Sequence, residues 1–276
     1  MNSQEIIYHE VDSGFILGVK RLIQEFFNKR QLFVVLLWTA LSKRYRGSYI
    51  GLFWTLLNPF FHMLSLALIF PLIIRFRMEN YILYLFSGIL AWSMISTSVI
   101  GGSESILTYR SFIRKVYVPK IIFPIVTISL ELINTFAAII ILHLIALAFH
   151  FHIHTNLLYL AAALALTFLF SVAVASITSV LTVYFRDIRY ILGVVMQPLF
   201  YLSAIIFPVS VLPEKYRYLI EFNIFYQFVR LFHQAIYFGH QAEWLYFAKP
   251  FFLMCFLFSI ALYIHQKYDR HLVYRV

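Results

Sequence analysis

Six long apolar stretches dominate this chain, and they constrain its fold more than any other feature of the sequence. Together they carry a single ionised side chain, that of Glu131. An α-helix rises about 1.5 Å per residue and the hydrocarbon core of a bilayer is about 30 Å thick, so about 20 apolar residues cross it. The sequence therefore predicts six membrane-spanning helices, namely Tyr49–Ile74, Asn80–Ser103, Ile121–Phe149, Thr155–Phe185, Tyr190–Phe207 and Pro250–Gln266.

The composition supports a membrane protein and excludes several soluble classes. Hydrophobic residues make up 62% of the 276 residues and charged residues 12%, whereas soluble domains have about 45–50% and about 25%. So few charges cannot cover a water-facing surface, which excludes a soluble enzyme and a disordered chain. The single cysteine, Cys255, excludes an internal disulfide and a thiolate metal cluster. The expected fold class is an all-α integral membrane protein, with residues 1–276 forming one membrane domain.

The distribution of basic residues predicts how the spans are oriented. With the N-terminus inside, sixteen of the 22 lysine and arginine residues lie on the cytoplasmic side and six on the outer side. Because Lys and Arg concentrate in cytoplasmic loops, both termini are expected in the cytoplasm. Residues 1–48 would then be a cytoplasmic or interfacial segment, 49–266 the six-span core and 267–276 a cytoplasmic tail. This asymmetry accounts for the net charge of +10 without a nucleic-acid partner.

The segment before the first span predicts helices that lie along the membrane. Apolar side chains recur at helical spacing over Ile16–Arg30, and polar ones fill the other face. The next run, Leu32–Leu41, would cover only about 15 Å as a helix and is bracketed by basic residues. Both pieces fit helices in the membrane interface. A soluble cap helix is the alternative.

The segment between the fifth and sixth spans, Pro208–Lys249, is too polar for a span and too apolar for a solvated loop. It contains two short aromatic runs, Leu219–Val229 and Leu231–Phe238, separated by Arg230. Each run is too short to cross, and irregular backbone at membrane depth needs protein or water around it. We therefore expect two short re-entrant or interfacial helices at the outer face.

The sequence contains no catalytic or cofactor-binding motif. Its nine glycines form no G-x-x-x-x-G-K-[ST] phosphate loop, and H-E-x-x-H, C-x-x-C and G-x-S-x-G are missing. His150, His152 and His154 alternate in a way that could suit a metal, but polar caps are ordinary at the end of a span. We expect no catalytic residue, no bound cofactor and no metal. A membrane-embedded glycosyl- or acyltransferase stays open as the alternative from another class.

A basic segment between the second and third spans, residues 104–119, is the most informative loop. As a short helix it would place apolar side chains on one face and basic ones on another, Ile106, Tyr109, Phe112 and Ile113 against Arg110 and Arg114. An exposed apolar strip beside charges suits docking into a groove on a soluble partner. The alternative is a basic loop that rests on anionic lipid.

Aromatic residues make up 19% of the chain, more than anchoring in a membrane requires. Aromatic rings bind the flat C–H faces of sugars, and successive rings would let a polymer slide because conduction needs sites that also release. Candidates for such a lining lie near the ends of spans: Phe53, Trp54, Phe60, Phe61, Tyr84, Phe86, Trp92, Tyr201 and Phe207. Each has a structural alternative, since Trp and Tyr form interfacial belts and Phe fills helix contacts.

Glu131 lies about ten residues into the third span, near mid-membrane. A carboxylate at that depth is a functional candidate by default. The alternative is a structural role, with Asn134 or a residue of another helix as its partner.

Five segments, met in the same order along the chain, resemble the ABC-type polysaccharide exporter permeases, which export lipid-linked O-antigen, teichoic acid and capsule. The first is Arg44-Tyr-Arg-Gly-Ser-Tyr-Ile-Gly-Leu-Phe-Trp-Thr-Leu-Leu-Asn-Pro59. The others are Leu85-Phe-Ser-Gly-Ile-Leu-Ala-Trp92, Ile113-Arg-Lys-Val-Tyr-Val-Pro119, Val183-Tyr-Phe-Arg-Asp-Ile-Arg189 and Leu212-Pro-Glu-Lys-Tyr-Arg217.

The resemblance implies a homodimer of this permease with two copies of a separate ABC ATPase subunit, one docked on each cytoplasmic face. It implies that Ser105–Val118 is the coupling helix that enters the ATPase and that the Arg186-Asp187 turn is a second contact. ATP and Mg²⁺ would bind the partner, not this chain. The coupling residues that follow are Tyr109, Arg110, Phe112, Ile113, Arg114, Lys115, Arg186 and Asp187.

The function that the resemblance implies is that of the transmembrane subunit of an ATP-driven exporter. Its cargo would be a lipid-linked polysaccharide, O-antigen foremost, carried from the cytoplasm to the outer side of a bacterial inner membrane. A teichoic acid or capsule exporter is the nearest alternative, followed by a small-amphiphile or drug exporter of the same architecture.

Overall fold

A computed structural model of the chain describes residues 20, 24–54, 57, 60, 61, 64, 65, 68, 69, 80–115, 118–148, 155–239 and 243–275. Within these residues every regular element is helical, which confirms the predicted all-α fold. The α-helices, numbered here in chain order, are α1 Arg30–Tyr45, α2 Tyr81–Ser103, α3 Ser105–Thr108, α4 Arg110–Ile113, α5 Ile122–Ala148, α6 Leu157–Tyr184, α7 Ile188–Leu202, α8 Glu214–Glu221, α9 Ile224–Phe232 and α10 Ala248–Arg275. A π-helical turn, His233–Phe238, continues α9, and 3₁₀ turns lie at Gly51–Phe53, Val209–Val211 and Trp244–Phe247.

Four of the predicted spans are confirmed by helices long and apolar enough to cross a membrane. In the described part of the chain these are Tyr81–Ser103, Ile122–Ala148, Leu157–Tyr184 and Trp244–Asp269. Pro124 does not interrupt the second of them, because it lies in the first turn of α5, where its missing N–H has no helical acceptor. The first predicted span, Tyr49–Ile74, falls largely outside the described residues, so the count of six remains a prediction.

The fifth predicted span, Tyr190–Phe207, ends earlier than expected. Its helix α7 stops at Leu202, and Ala204 takes a φ of +48° in the turn that follows. The side-chain amide of Asn223 donates to the Leu202 carbonyl at 2.9 Å. Because this amide satisfies one of the carbonyls that every helix end leaves free, the chain turns after Leu202. The predicted extension of the helix to residue 207 is therefore wrong.

Two tyrosines of α2 hold the turn after α7. The Tyr84 hydroxyl donates to the Ala204 carbonyl at 3.0 Å, and the Tyr81 hydroxyl donates to the Ile206 carbonyl at 2.8 Å. Irregular backbone in an apolar bundle requires such partners, because unsatisfied carbonyls are costly there. The start of α2 and the end of α7 are thereby tied together.

Two short helices lie between α7 and α10, but their bounds differ from the prediction. α8 ends at Glu221, and α9 runs with its π-helical turn unbroken as far as Phe238. The break falls at Asn223, whose Oδ1 caps α9 by accepting the Phe225 N–H at 2.9 Å. Arg230, expected to separate the helices, lies inside α9 with its guanidinium carbon 3.4 Å from the centre of the Tyr246 ring. This cation–π contact accommodates the charge within the helix.

The larger apolar core joins α2, α5, α6, α9 and α10. Phe86 of α2, Phe170 of α6 and Phe228 and Phe232 of α9 are fully buried in it. Phe170 and Phe228 stack with their ring centroids 4.1 Å apart. α9 is therefore part of the bundle core and does not lie on its surface.

A smaller apolar core closes one end of the bundle. It joins α1, the α3–α4 segment, the start of α5, the end of α6 and the end of α10 through Leu36, Ile106, Ile113, Val118, Ile122, Phe123, Val126, Val180, Val183 and Leu272. Exposed basic side chains of the α3–α4 segment and of the α6–α7 turn surround it. We call this the basic end of the bundle and its buried cluster the basic-end core.

The helices α2 and α6 are in close contact at Gly102. A Cβ atom at this position would lie 2.4 Å from the Cβ of Ala175. Small residues at such crossings let helix backbones approach, which replaces the hydrophobic driving force that lipid cannot provide. Glycine at 102 is therefore a requirement of this contact.

The two glycines at the end of α2 should respond oppositely to alanine. Gly102→Ala is expected to destabilise the protein by about 1–3 kcal/mol, because the added methyl overpacks the crossing. Gly101→Ala is the matched control: its Cβ would meet only Thr127 Cγ2 at an ordinary 3.6 Å, and alanine favours the helix by about 1 kcal/mol. Thermal unfolding in detergent compares the two variants. Equal melting temperatures for both would contradict the crossing described here.

Candidate functional site

The apolar side chains predicted for the basic segment do lie on one face, but other helices of the chain cover that face. Ile106 and Ile113 are buried in the basic-end core. Tyr109 stacks on Phe123 with ring centroids 4.9 Å apart and planes 18° apart, and burial raises the pKa of its hydroxyl. Phe112 is half-buried against the same cluster. The expectation that this strip is exposed for a partner's groove is therefore wrong, because α5, α6 and α10 already cover it.

The exposed face of the basic segment is polar and positively charged. Arg110, Ser111, Arg114 and Lys115 are all exposed, whereas residues 116 and 117 lie outside the described part of the chain. The surface that a soluble protein could reach is thus formed by the predicted basic residues and not by the apolar ones. We call it the basic surface.

The second predicted contact lies beside the first. Arg186 and Asp187 are exposed in the turn between α6 and α7. Two residues further on, Arg189 forms an ion pair with Glu104 at 3.3 Å, and Glu104 directly precedes α3. Both members are about half exposed, so the pair contributes little to stability, but it brings the two segments to one surface.

Glu131 has both of the structural partners predicted for it, Asn134 and a residue of another helix. Its Oε1 accepts a hydrogen bond from Arg44 of α1 at 3.0 Å, and its Oε2 accepts one from the Asn134 amide at 2.9 Å. The carboxylate is mostly buried, and Arg44 is about half exposed. The contact attaches the end of α1 to the middle of α5, which gives this acidic residue a structural role.

The predicted aromatic candidates fall into three groups. Phe53, Trp54, Phe61 and Tyr201 are exposed, and Phe60 and Phe207 are half-buried. Tyr84, Phe86 and Trp92 are buried, the last with its ring edge against Phe200 and Phe225. The buried three pack within the chain and do not lie on a surface that a substrate could touch. Only the exposed and half-buried members keep a face for a glycan.

Two features of the site were not predicted. Lys120 and Asp269 form a buried ion pair between the start of α5 and the end of α10. His233, in the π-helical turn, is buried between Tyr84, on which it stacks at 3.9 Å, and Ser87, whose hydroxyl is 3.0 Å from Nδ1. The partners lie 149 and 146 residues apart along the chain, so no local pattern signals either contact.

The described residues contain no group of three or more His, Cys, Asp or Glu side chains that could hold a metal. The three histidines at positions 150, 152 and 154 lie outside the part of the chain that the structure describes.

The fold and the site define the chain as an integral membrane protein of helical type, with a basic surface at one end. A model of the family described as "ABC-2 type transporter" matches residues 31–237. The chain belongs to this family of membrane transporters, which confirms the resemblance found in the sequence.

Its relatives include proteins named for the export of a polysaccharide. The "O-antigen export system permease protein RfbA" of Myxococcus xanthus is 27% identical over 195 residues, which cover 71% of this chain and 75% of that protein. Two proteins of the same name from Klebsiella pneumoniae are 25% and 23% identical over 193 residues, covering 70% of this chain and 74% of each relative.

A double-mutant cycle tests the attachment of α1 to α5. Arg44→Ala and Glu131→Ala are expected to show an interaction free energy of about 0.5–3 kcal/mol, as contacting residues do. Arg46→Ala, at an exposed site two residues further on, is the control, and its effect should add to that of Glu131→Ala within about 0.5 kcal/mol. Thermal unfolding in detergent measures both cycles. Additivity in the Arg44 cycle would show that the ion pair is not formed.

Proposed function

We propose that this chain is the transmembrane subunit of an ATP-driven exporter that carries a lipid-linked polysaccharide of the O-antigen type across a bacterial inner membrane. The observation that carries the proposal is the family match over residues 31–237 together with three relatives that all bear the name of O-antigen export permeases. The exposed aromatic residues suit a carbohydrate cargo, because aromatic rings contact sugar C–H faces without trapping the polymer.

The energy source in this proposal is a separate ABC ATPase. The sequence carries no phosphate-binding loop, and cradling ATP phosphates depends on such a loop. Two ATPase copies would dock on a homodimer of this permease, one at each basic surface. The basic end would then face the cytoplasm with both termini, in keeping with the concentration of Lys and Arg there.

The proposed coupling step uses the basic-end core as a rigid block. Ile106 and Ile113 are buried among side chains of α1, α5, α6 and α10, and packed interiors transmit displacement instead of deforming. When ATP closes the partner subunits, a pull on Arg110, Arg114 and Lys115 would therefore move several helices together. The basic segment would then move together with the basic-end core and not independently of it.

The proposed pathway has six spans and two re-entrant helices. The first span would be formed within residues 49–74 and the fifth by α7, which buries only Met196 against the rest of the chain. The wide apolar surface that α7 leaves exposed suits contact with the second permease or with lipid. α8 and α9 would be the re-entrant helices at the outer mouth, since α9 returns into the bundle core.

The same topology places α1 in the interface. Its outer face exposes Val34, Val35 and Trp38, while Leu36 is buried against the basic-end core. An exposed tryptophan between basic residues at both helix ends is typical of a helix that lies in the headgroup layer. A soluble cap helix would leave this apolar face in water.

Deletion of the gene in its native host tests the proposed function. We expect the lipid-linked polysaccharide to accumulate on the cytoplasmic leaflet, where a lectin reaches it only after spheroplasts are opened, and the wild-type gene to restore export. Continued display of the polymer in the deletion strain would contradict the proposal. Accumulation of teichoic acid or capsule instead would change the cargo, and turnover of a lipid donor by the purified chain alone would favour a transferase.

Charge reversal tests the docking surface. Arg110→Glu combined with Arg114→Glu and Lys115→Glu is expected to abolish co-purification of the ATPase while the permease still folds, because all three side chains are exposed. Lys215→Glu with Lys249→Glu, exposed at the other end of the bundle, is the matched control and should leave the complex intact. Retention of the ATPase by the triple variant would overturn the assignment.

A further inference from the structure

The most deeply buried charges described in this chain belong to two residues that lie next to the basic segment. Lys120 precedes α5, and its Nζ lies 2.9 Å from Oδ2 of Asp269 near the end of α10. The side chains are 1% and 9% exposed. The other carboxylate oxygen, Oδ1, accepts the backbone N–H of Lys120 at 2.7 Å. Asp269 thus binds both the side chain and the backbone N–H of Lys120.

The hydrogen bond to the backbone lies just outside a helix. Lys120 stands two residues before α5, and its N–H is held by Asp269 of another helix. A carboxylate close to a helix N-terminus is favoured by the helix dipole. The start of α5 and the end of α10 are therefore fixed to each other in both position and orientation.

Stability alone does not account for the pair. Removing two charges from water is expensive, and well-packed apolar residues in place of a buried ion pair are often neutral or stabilising. What such a pair adds is a defined geometry, because its hydrogen bonds are satisfied in only one relative arrangement of the two helices. A fixed register between two helices is the property that the apolar side chains around it do not supply.

The neighbours of the pair place it where movement would be passed on. Val118, two residues before Lys120 in the sequence, and Leu272, one turn beyond Asp269, are buried in the basic-end core together with Ile106 and Ile113. His265, one turn before Asp269, is fully buried as well. Away from this end, α10 is largely exposed and packs chiefly on α6 through apolar contacts. Apolar contacts are non-directional, so they do not fix the register of the two helices.

We propose that the Lys120–Asp269 pair is a positioning element that makes the last span, α10, move with the basic segment when the partner ATPase pulls on it. This inference rests on the proposed function, because the pull comes from the ATPase. Lys120 and Asp269 act through the helices that they join. Neither touches the cargo.

The decisive variant is Lys120→Met with Asp269→Leu, which replaces the pair by apolar residues of similar volume. We expect it to fold and to bind the ATPase. In proteoliposomes carrying lipid-linked polysaccharide from export-deficient cells, it should hydrolyse ATP at nearly the wild-type rate but export about tenfold less polymer per ATP. Asp269→Glu, which keeps the charge and both acceptor oxygens, should recover most of the export. A purely structural pair would leave export per ATP unchanged in the folded apolar variant.

A distance measurement tests the link without relying on transport. Spin labels at Ser111 and Lys267, both exposed, are placed on one permease of the complex. The wild-type distance should stay the same with and without ATP, whereas the apolar variant should show a broader, ATP-dependent distribution. If the wild-type complex exports no polymer, the proposed function fails and the distances still test the link. If it exports polymer and the apolar variant matches it in both measurements, the link is wrong.

Discussion

The structure depends on one constraint, that a polar backbone group away from water must find its partner within the protein. Inside a helix this is automatic, but each helix end leaves several groups without a partner. Side chains from other helices supply what is missing here. Asn223 satisfies the end of α7, Tyr81 and Tyr84 satisfy the turn beyond it, and Asp269 accepts the backbone N–H of Lys120 just before α5. These few polar contacts determine how the apolar helices are placed relative to one another.

The comparison with the sequence shows which properties are local. Four spans could be predicted because hydropathy over about 20 residues is a property of each segment by itself. The end of α7 and the break before α9 could not, because both depend on Asn223, which follows α7 by 21 residues and serves both helices. Likewise, periodicity identified an apolar face on the basic segment, but a pattern along one helix does not tell which neighbour covers it.

The polar site residues illustrate the same limit. Glu131 stood out because a carboxylate in an apolar run is conspicuous, and its partner Asn134 lies one turn away. Its charged partner, Arg44, is 87 residues distant. Lys120 and Asp269 do not stand out in the sequence, since a lysine in a basic loop and an acid in a charged tail are ordinary. Only the folded chain reveals that their side chains leave water and meet.

The two cores differ in which helices they hold together. The larger core, with its close crossing at Gly102, binds α2 and α6 into a unit with little freedom to slide. The basic-end core gathers pieces of α1, α5, α6 and α10 around the segment that reaches the surface. α7 belongs only weakly to either, because Met196 is its one buried residue among those described. Its position can therefore change at a low cost in packing.

The hydrogen bond from the Lys120 backbone to Asp269 also has a consequence for how the protein is made. A ribosome delivers the chain from its N-terminus, and early segments settle before later ones exist. The backbone N–H of Lys120 is synthesised 149 residues ahead of the Asp269 carboxylate that accepts its hydrogen bond. Until α10 emerges, that N–H must use water or a lipid headgroup in its place. The basic end is thus completed only after the chain has been translated past Asp269.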